Sequence, residues 1–206
     1  MRKSPIGFGV AGVAVLALVT GCSSGGNDMS GMRHNSTSTP APAPGRQAAD
    51  HNDHDVRFAQ EMIVHHQQAV QMAKMVPGKS TNAKVLDLAE RIEGAQDPEI
   101  KTMTGWLSKW GAAPTASSMP KMDHGSMDHG AGTGMMTAVE MAGLGRVSGA
   151  GFDRMWTEMM IRHHQGAIEM SETHLDKGSN AESKKLAQDI ITAQQAEITE
   201  MQGLLK

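Results

Sequence analysis

The chain repeats itself at a fixed offset, and few folds accommodate that. Met62-Ile63-Val64-His65-His66-Gln67-Gln68-Ala69 returns as Met160-Ile161-Arg162-His163-His164-Gln165-Gly166-Ala167, 98 residues on. The same offset carries Asp55 onto Asp153, Leu88 onto Leu186, Ile92 onto Ile190, Gln96 onto Gln194, Glu99 onto Glu197 and Met103 onto Met201, without a gap. Roughly 20 of about 53 aligned positions are identical, which marks an internal duplication.

Each copy has helical spacing. Phe58, Met62, His65, Ala69, Met72 and Val76 recur in three- and four-residue steps and share one helix face, which Pro77-Gly78 ends. Asn82 caps a second helix through Val85, Leu88, Ile92, Glu99, Met103 and Leu107, stopping near Trp110-Gly111. Pro98 lies inside it; proline removes one backbone bond and crowds the carbonyl four residues back, which predicts a kink or short break. Thr137 and Glu140 have capping-box spacing and open a short helix to about Arg146. A turn then leads into Asp153, and Ser179 with Glu182 forms a capping box for the last helix. One hairpin cannot hide its apolar face alone, so two predict an all-α four-helix bundle. Composition agrees: three Trp, three Phe, no Tyr and 18 Met make an aliphatic, Met-rich core, which suits helices better than a sandwich of sheets.

The formal net charge of −3 gives no electrostatic footprint for nucleic acid. Arg2 and Lys3 precede an apolar run, Ile6 to Val19, that Gly7, Gly9 and Gly12 interrupt. It is too short for a comfortable membrane span and reads as a signal peptide. Leu18-Val19-Thr20-Gly21-Cys22 resembles a bacterial lipobox, which implies a lipid on Cys22, a membrane attachment through it, and an extracytoplasmic chain; the alternative is an ordinary secretory signal with an incidental cysteine. The expected organisation is a signal peptide at 1–21, a Gly/Ser/Pro-rich tether at 22–50, repeat one at 51–111, a Met/His-rich flexible linker at 112–135, and repeat two at 136–206.

Metal is the chemistry that the residues suggest. A lone core histidine is ordinarily a hydrogen-bonded packing residue, but duplication brings His65, His66, His163 and His164 towards one bundle. Met62 and Met160 precede them by three residues. Glu99 and Glu197 share a stripe with Met103 and Met201, and a carboxylate near a core needs a cation, a donor or a metal. The plainer alternative is a Glu–His hydrogen bond between helices; Gln96 and Gln194, one turn earlier, are candidate supporting donors. In the linker, Met122-Asp123-His124-Gly125 recurs at Met127-Asp128-His129-Gly130, where no core explains the methionines. Thioether with imidazole suits copper: sulfur selects Cu(I), while imidazole also takes Cu(II). His51 and His54 form a weaker nitrogen cluster before the first helix. Nothing resembles a nucleophile elbow or a phosphate-binding loop, so an enzyme is not expected. A ferritin-type oxidase needs paired Glu-x-x-His, and residue 62 is Met.

The paired Met-Ile-x-His-His-Gln-x-Ala-x-x-Met segments, Glu-Ile-x-x-Met at 99–103 and 197–201, Trp106-Leu107-Ser108-Lys109-Trp110-Gly111, and Ser148-Gly149-Ala150-Gly151-Phe152-Asp153 resemble the DUF305 family of bacterial secreted proteins. The resemblance spans about residues 50 to 206. It implies a ferritin-like fold of two helical-hairpin repeats, and function at His65, His66, His163 and His164; some members look like extracytoplasmic copper binders linked to copper resistance. The expectation is a lipid-anchored copper protein for sequestration or for hand-over to a donor or acceptor protein, another transition metal being open. The alternatives are a structural or interaction module of the cell envelope, or a metal oxidase.

Overall fold

The computed structural model describes residues 50–114 and 133–206. Helix α1 (Asp53–Met75) begins on Asn52, whose side chain accepts from the amides of His54 and Asp55 while the Asp55 carboxylate reaches back to the Asn52 amide. Both orphaned ends of this capping box are thus satisfied. A 3₁₀ turn, Val76–Gly78, ends α1 at the expected proline. Helix α2 (Ala83–Lys109) starts on Asn82. Helix α3 (Ala138–Leu144) carries the Thr137/Glu140 capping box. Helices α4 (Gly149–Lys177) and α5 (Ala181–Leu204) complete the second hairpin. Among the described residues there is no strand, and no helix is long and apolar enough to cross a membrane.

α1 packs along α2 and α4 along α5; the hairpins meet chiefly through α1 and α4, while α2 and α5 barely touch. The start of α1 lies on the end of α4, since Asn52 donates to the Lys177 carbonyl (3.0 Å), so these central helices run antiparallel. The apolar residues gather in two clusters. One holds Phe58, Met62, Met103, Trp106 and Leu107. The other holds Met72, Leu88, Ile92, Trp156, Met160 and Met201.

Three expectations need correction. Of the kink or short break expected at Pro98, the break does not occur: α2 runs on through it. The carbonyl that loses its partner belongs to Gly94, and both residues are exposed, so water can replace the missing bond. Helix α4 begins at Gly149, four residues before Asp153, because the Gly149 amide is tied to the Lys79 carbonyl (2.7 Å). The cap of α5 is Asn180, accepting from Ser183 N (2.8 Å), and not Ser179 paired with Glu182. Ser179 is drawn off by a remote residue: its hydroxyl and amide both donate to the Asp55 carboxylate.

Candidate metal centre

His65 and His66 project from α1 at the middle of the bundle, and His163 and His164 from α4. None of the four is more than 1% exposed. The rings of His65 and His163 meet across the helix pair, centroids 3.7 Å apart and planes tilted by 36°, and those of His163 and His164 lie 6.5 Å apart. The duplication thus brings four imidazoles together in one buried place.

Their hydrogen bonds set the chemistry. His66 donates its Nε2–H to Glu99 Oε2 on α2, and His164 donates to Glu197 Oε2 on α5, each at 2.7 Å. His65 donates Nε2–H to the Thr133 carbonyl at 2.9 Å. A neutral imidazole that donates at Nε2 keeps its lone pair at Nδ1. The Nδ1 atoms of His65, His66 and His164 are buried and have no hydrogen-bond partner. A weak approach to the His65 backbone aside, neither nitrogen of His163 has one. Burial and the neighbouring His66 ring lower the pKa of His65 to about 3, despite the opposing pull of the Thr133 carbonyl. Burial, followed by the other imidazoles, holds His163 well below the ordinary histidine value. Both are neutral nitrogen bases at physiological pH.

Glu99 and Glu197 therefore sit behind the imidazoles, on the nitrogens that carry protons. Gln96 does not support them as a donor, since its Nε2 and Oε1 are buried without a partner; Gln194 Oε1 is a further buried acceptor without one. The methionines divide between the two apolar clusters, Met62 and Met103 in one, Met160 and Met201 in the other, all fully buried. Among the described residues no three His, Cys, Asp or Glu side chains converge as a ready-made cage, so any metal here relies on the paired imidazoles with sulfur or a rotamer change. His51 stacks on Trp110 (4.7 Å) and pairs with Asp50 (3.0 Å), and His54 lines a groove beside Phe58. Met122, His124, Met127, His129 and Cys22 lie outside the described residues.

Two features escape sequence reasoning. Residues 133–136 cross the bundle beside His65; the Thr133 contact involves a backbone carbonyl, which no side-chain pattern signals. The second is a buried clasp at the start of α1. Burial opposes the charge of Asp55, yet its bonds to the Asn52 amide, the Ser183 hydroxyl and the amides of Asn180 and Ser179 outweigh this and hold its pKa at about 2. Ser183 donates to Asp55 (2.8 Å), His174 donates to Ser183 (2.9 Å), and Phe58 stacks on His174 (4.1 Å). The repeat gives the signal for it: His174 and Ser183 stand where copy one has Val76 and Val85.

Comparison with known proteins places this architecture. The family described as "Domain of unknown function (DUF305)" matches residues 55–205. A DUF305 protein from Streptomyces coelicolor, described as a candidate secreted protein, is 32% identical with a TM-score of 0.66, covering 77% of this chain and 94% of its own. A DUF305 fragment from Deinococcus radiodurans is 32% identical, TM-score 0.66, covering 75% and 96%. CopM in a Cu(II)-bound form is 32% identical, TM-score 0.62, covering 73% and 95%; it also has Cu(I)-bound and Ag-bound structures. Among curated proteins nothing matches.

Proposed function

The chain belongs to the DUF305 family, and from that premise we propose that it binds copper outside the cytoplasm, for sequestration or hand-over, and is held to the membrane by a lipid on Cys22. The observation that carries the copper reading is the set of buried, partnerless Nδ1 lone pairs on His65, His66 and His164, joined by His163. Buried acceptors without donors are costly, and a cation at those atoms removes the cost. The donor set fits a soft ion: neutral imidazoles, with the Met62/Met103 and Met160/Met201 pairs in the adjoining clusters. Copper(I) accepts few ligands, so the lack of a three-ligand cage does not count against it. Glu99 and Glu197 act as carboxylates that orient and strengthen imidazole ligands. CopM, solved with Cu(II) and with Cu(I), supports the choice of metal. Cys22 and the preceding apolar run support the location.

Mass spectrometry of the purified protein, with copper titration, tests both parts. Copper should bind more tightly than about 10 μM, and the mass should carry a lipid on Cys22. Changing His65, His66, His163 and His164 to Ala should remove the bundle-bound copper and leave only what Met122, His124, Met127 and His129 hold. Unchanged stoichiometry would make the paired histidines structural, and an unlipidated chain would remove the anchor.

A further inference from the structure

The imidazole group is sealed, so a metal that reaches it must pass some part of the wall. α1 packs along α2, α4 along α5, and α1 against α4, so parting any of these pairs would open the core. Residues 133–136 cross the wall as a short strap. Gln68 grips the strap by both ends of its amide, donating Nε2–H to the Met136 carbonyl (2.8 Å) and accepting the Met136 N–H at Oε1 (2.6 Å). Met136 is buried as the anchor, with the Arg162 guanidinium against its sulfur (2.8 Å). Thr133 receives the His65 Nε2–H.

The strap passes so close to α4 that position 166 must be glycine: a Cβ there would lie 1.7 Å from the Thr133 carbonyl oxygen. Gly134 takes φ +71°, and its own Cβ would meet the Arg162 carbonyl at 2.3 Å. Gln68 and Gly166 occupy the same place in the two copies. The copies differ where one must hold the strap and the other must make room for it. Outside, a groove between α1 and α4 is lined by Arg57, Glu61, Gly166, Glu169 and Met170, so two carboxylates and a thioether lie on the approach beside one guanidinium.

The geometry points to residues 133–136 as the gate of the imidazole group, with Gln68 as its latch. Lifting the strap removes the carbonyl from His65 and opens the ring edge towards the groove, without parting any helix. This rests on the copper reading. A gate and a fixed piece of wall behave differently. A gate limits uptake and release alike, so a loosened latch speeds both; loosening a fixed wall that only supports His65 speeds release alone and weakens binding.

The test is stopped-flow uptake of Cu(I), and release to a Cu(I) chelator, in the full protein carrying Gln68→Ala. Losing two hydrogen bonds should raise both rates by the same factor, roughly ten- to thirtyfold. Gly166→Ala, which prevents the strap from seating, should do likewise, with helix content matching the parent. Unchanged rates, or a rise in release only, overturn the gate. A metal-free reading separates the two ideas: diethylpyrocarbonate should modify His65 and His163 faster in Gln68→Ala. If the parent takes no copper, the copper reading falls and this modification rate alone decides the gate, equal rates overturning it.

Discussion

Glu99 and Glu197 accept protons already on their imidazoles, so in the proposed site they stand behind the rings rather than on the metal. That distinction can be measured. In Glu99→Gln the carboxamide oxygen still accepts the His66 Nε2–H; in Glu99→Ala nothing does, and a buried donor is stranded at about 1–3 kcal/mol. Copper affinity, read by competition titration, should fall roughly 10- to 100-fold in Glu99→Ala and much less in Glu99→Gln. Equal losses would show that the carboxylate itself holds the metal. The sequence puts Glu99 on the core stripe with Met103, but it offers both ligand and hydrogen-bond readings. Spacing decides which face a side chain shares, whereas the choice between Nε2 and Nδ1 depends on a rotamer and on a partner helix.

Local chemistry marks most helix ends plainly. Pro77-Gly78 stops α1, Asn82 starts α2, and Thr137 with Glu140 starts α3. The misread end is instructive, because Ser179 has every local feature of a cap. Asp55, 124 residues away, takes its hydroxyl and amide instead, and no local pattern registers such a competitor. The duplication does: Asn82 maps onto Asn180, the residue that caps α5. Pro98 is the other element-scale surprise, and its counterpart in copy two is Ala196. A proline inside a helix costs about 3 kcal/mol against alanine, less where it stiffens the unfolded chain. Pro98→Ala should therefore stabilise the protein by about 2 kcal/mol in denaturant unfolding, restoring the bond to the exposed Gly94 carbonyl. An unchanged midpoint would mean that the packing of α2 requires the proline's local geometry.

At the scale of the molecule, pseudo-symmetry is readable and the strap that crosses it is not. Duplication predicts the two hairpins and the convergence of His65 with His163; the strap is invisible because it ends a low-complexity stretch and binds through backbone atoms. What the assembled bundle creates is a polar centre that resists protons. His65 has its pKa lowered to about 3 from 6.5, His163 lies well below 6.5, and burial lowers His174 too. Above pH 6.5 the folded and unfolded chains both hold these rings neutral, and stability does not depend on them. Below it the unfolded chain takes up protons that the folded chain refuses. Stability then falls with pH, by about 1.4 kcal/mol per unit for each such ring, and for His65 the loss continues to about pH 3. Asp55 adds a loss between its ordinary value of 3.8 and about 2, since its folded form favours the anion. The melting temperature should thus begin to drop near pH 6.5, well above the carboxylate range. A flat profile from about pH 6.5 to about pH 4.5 would mean that the core admits protons without unfolding. Copper at Nδ1, as proposed above, would favour the folded state, so saturating copper should move the acid limb to lower pH. In the protein lacking the four paired histidines both the early acid limb and its copper dependence should shrink together, leaving mainly the shallower contribution of His174.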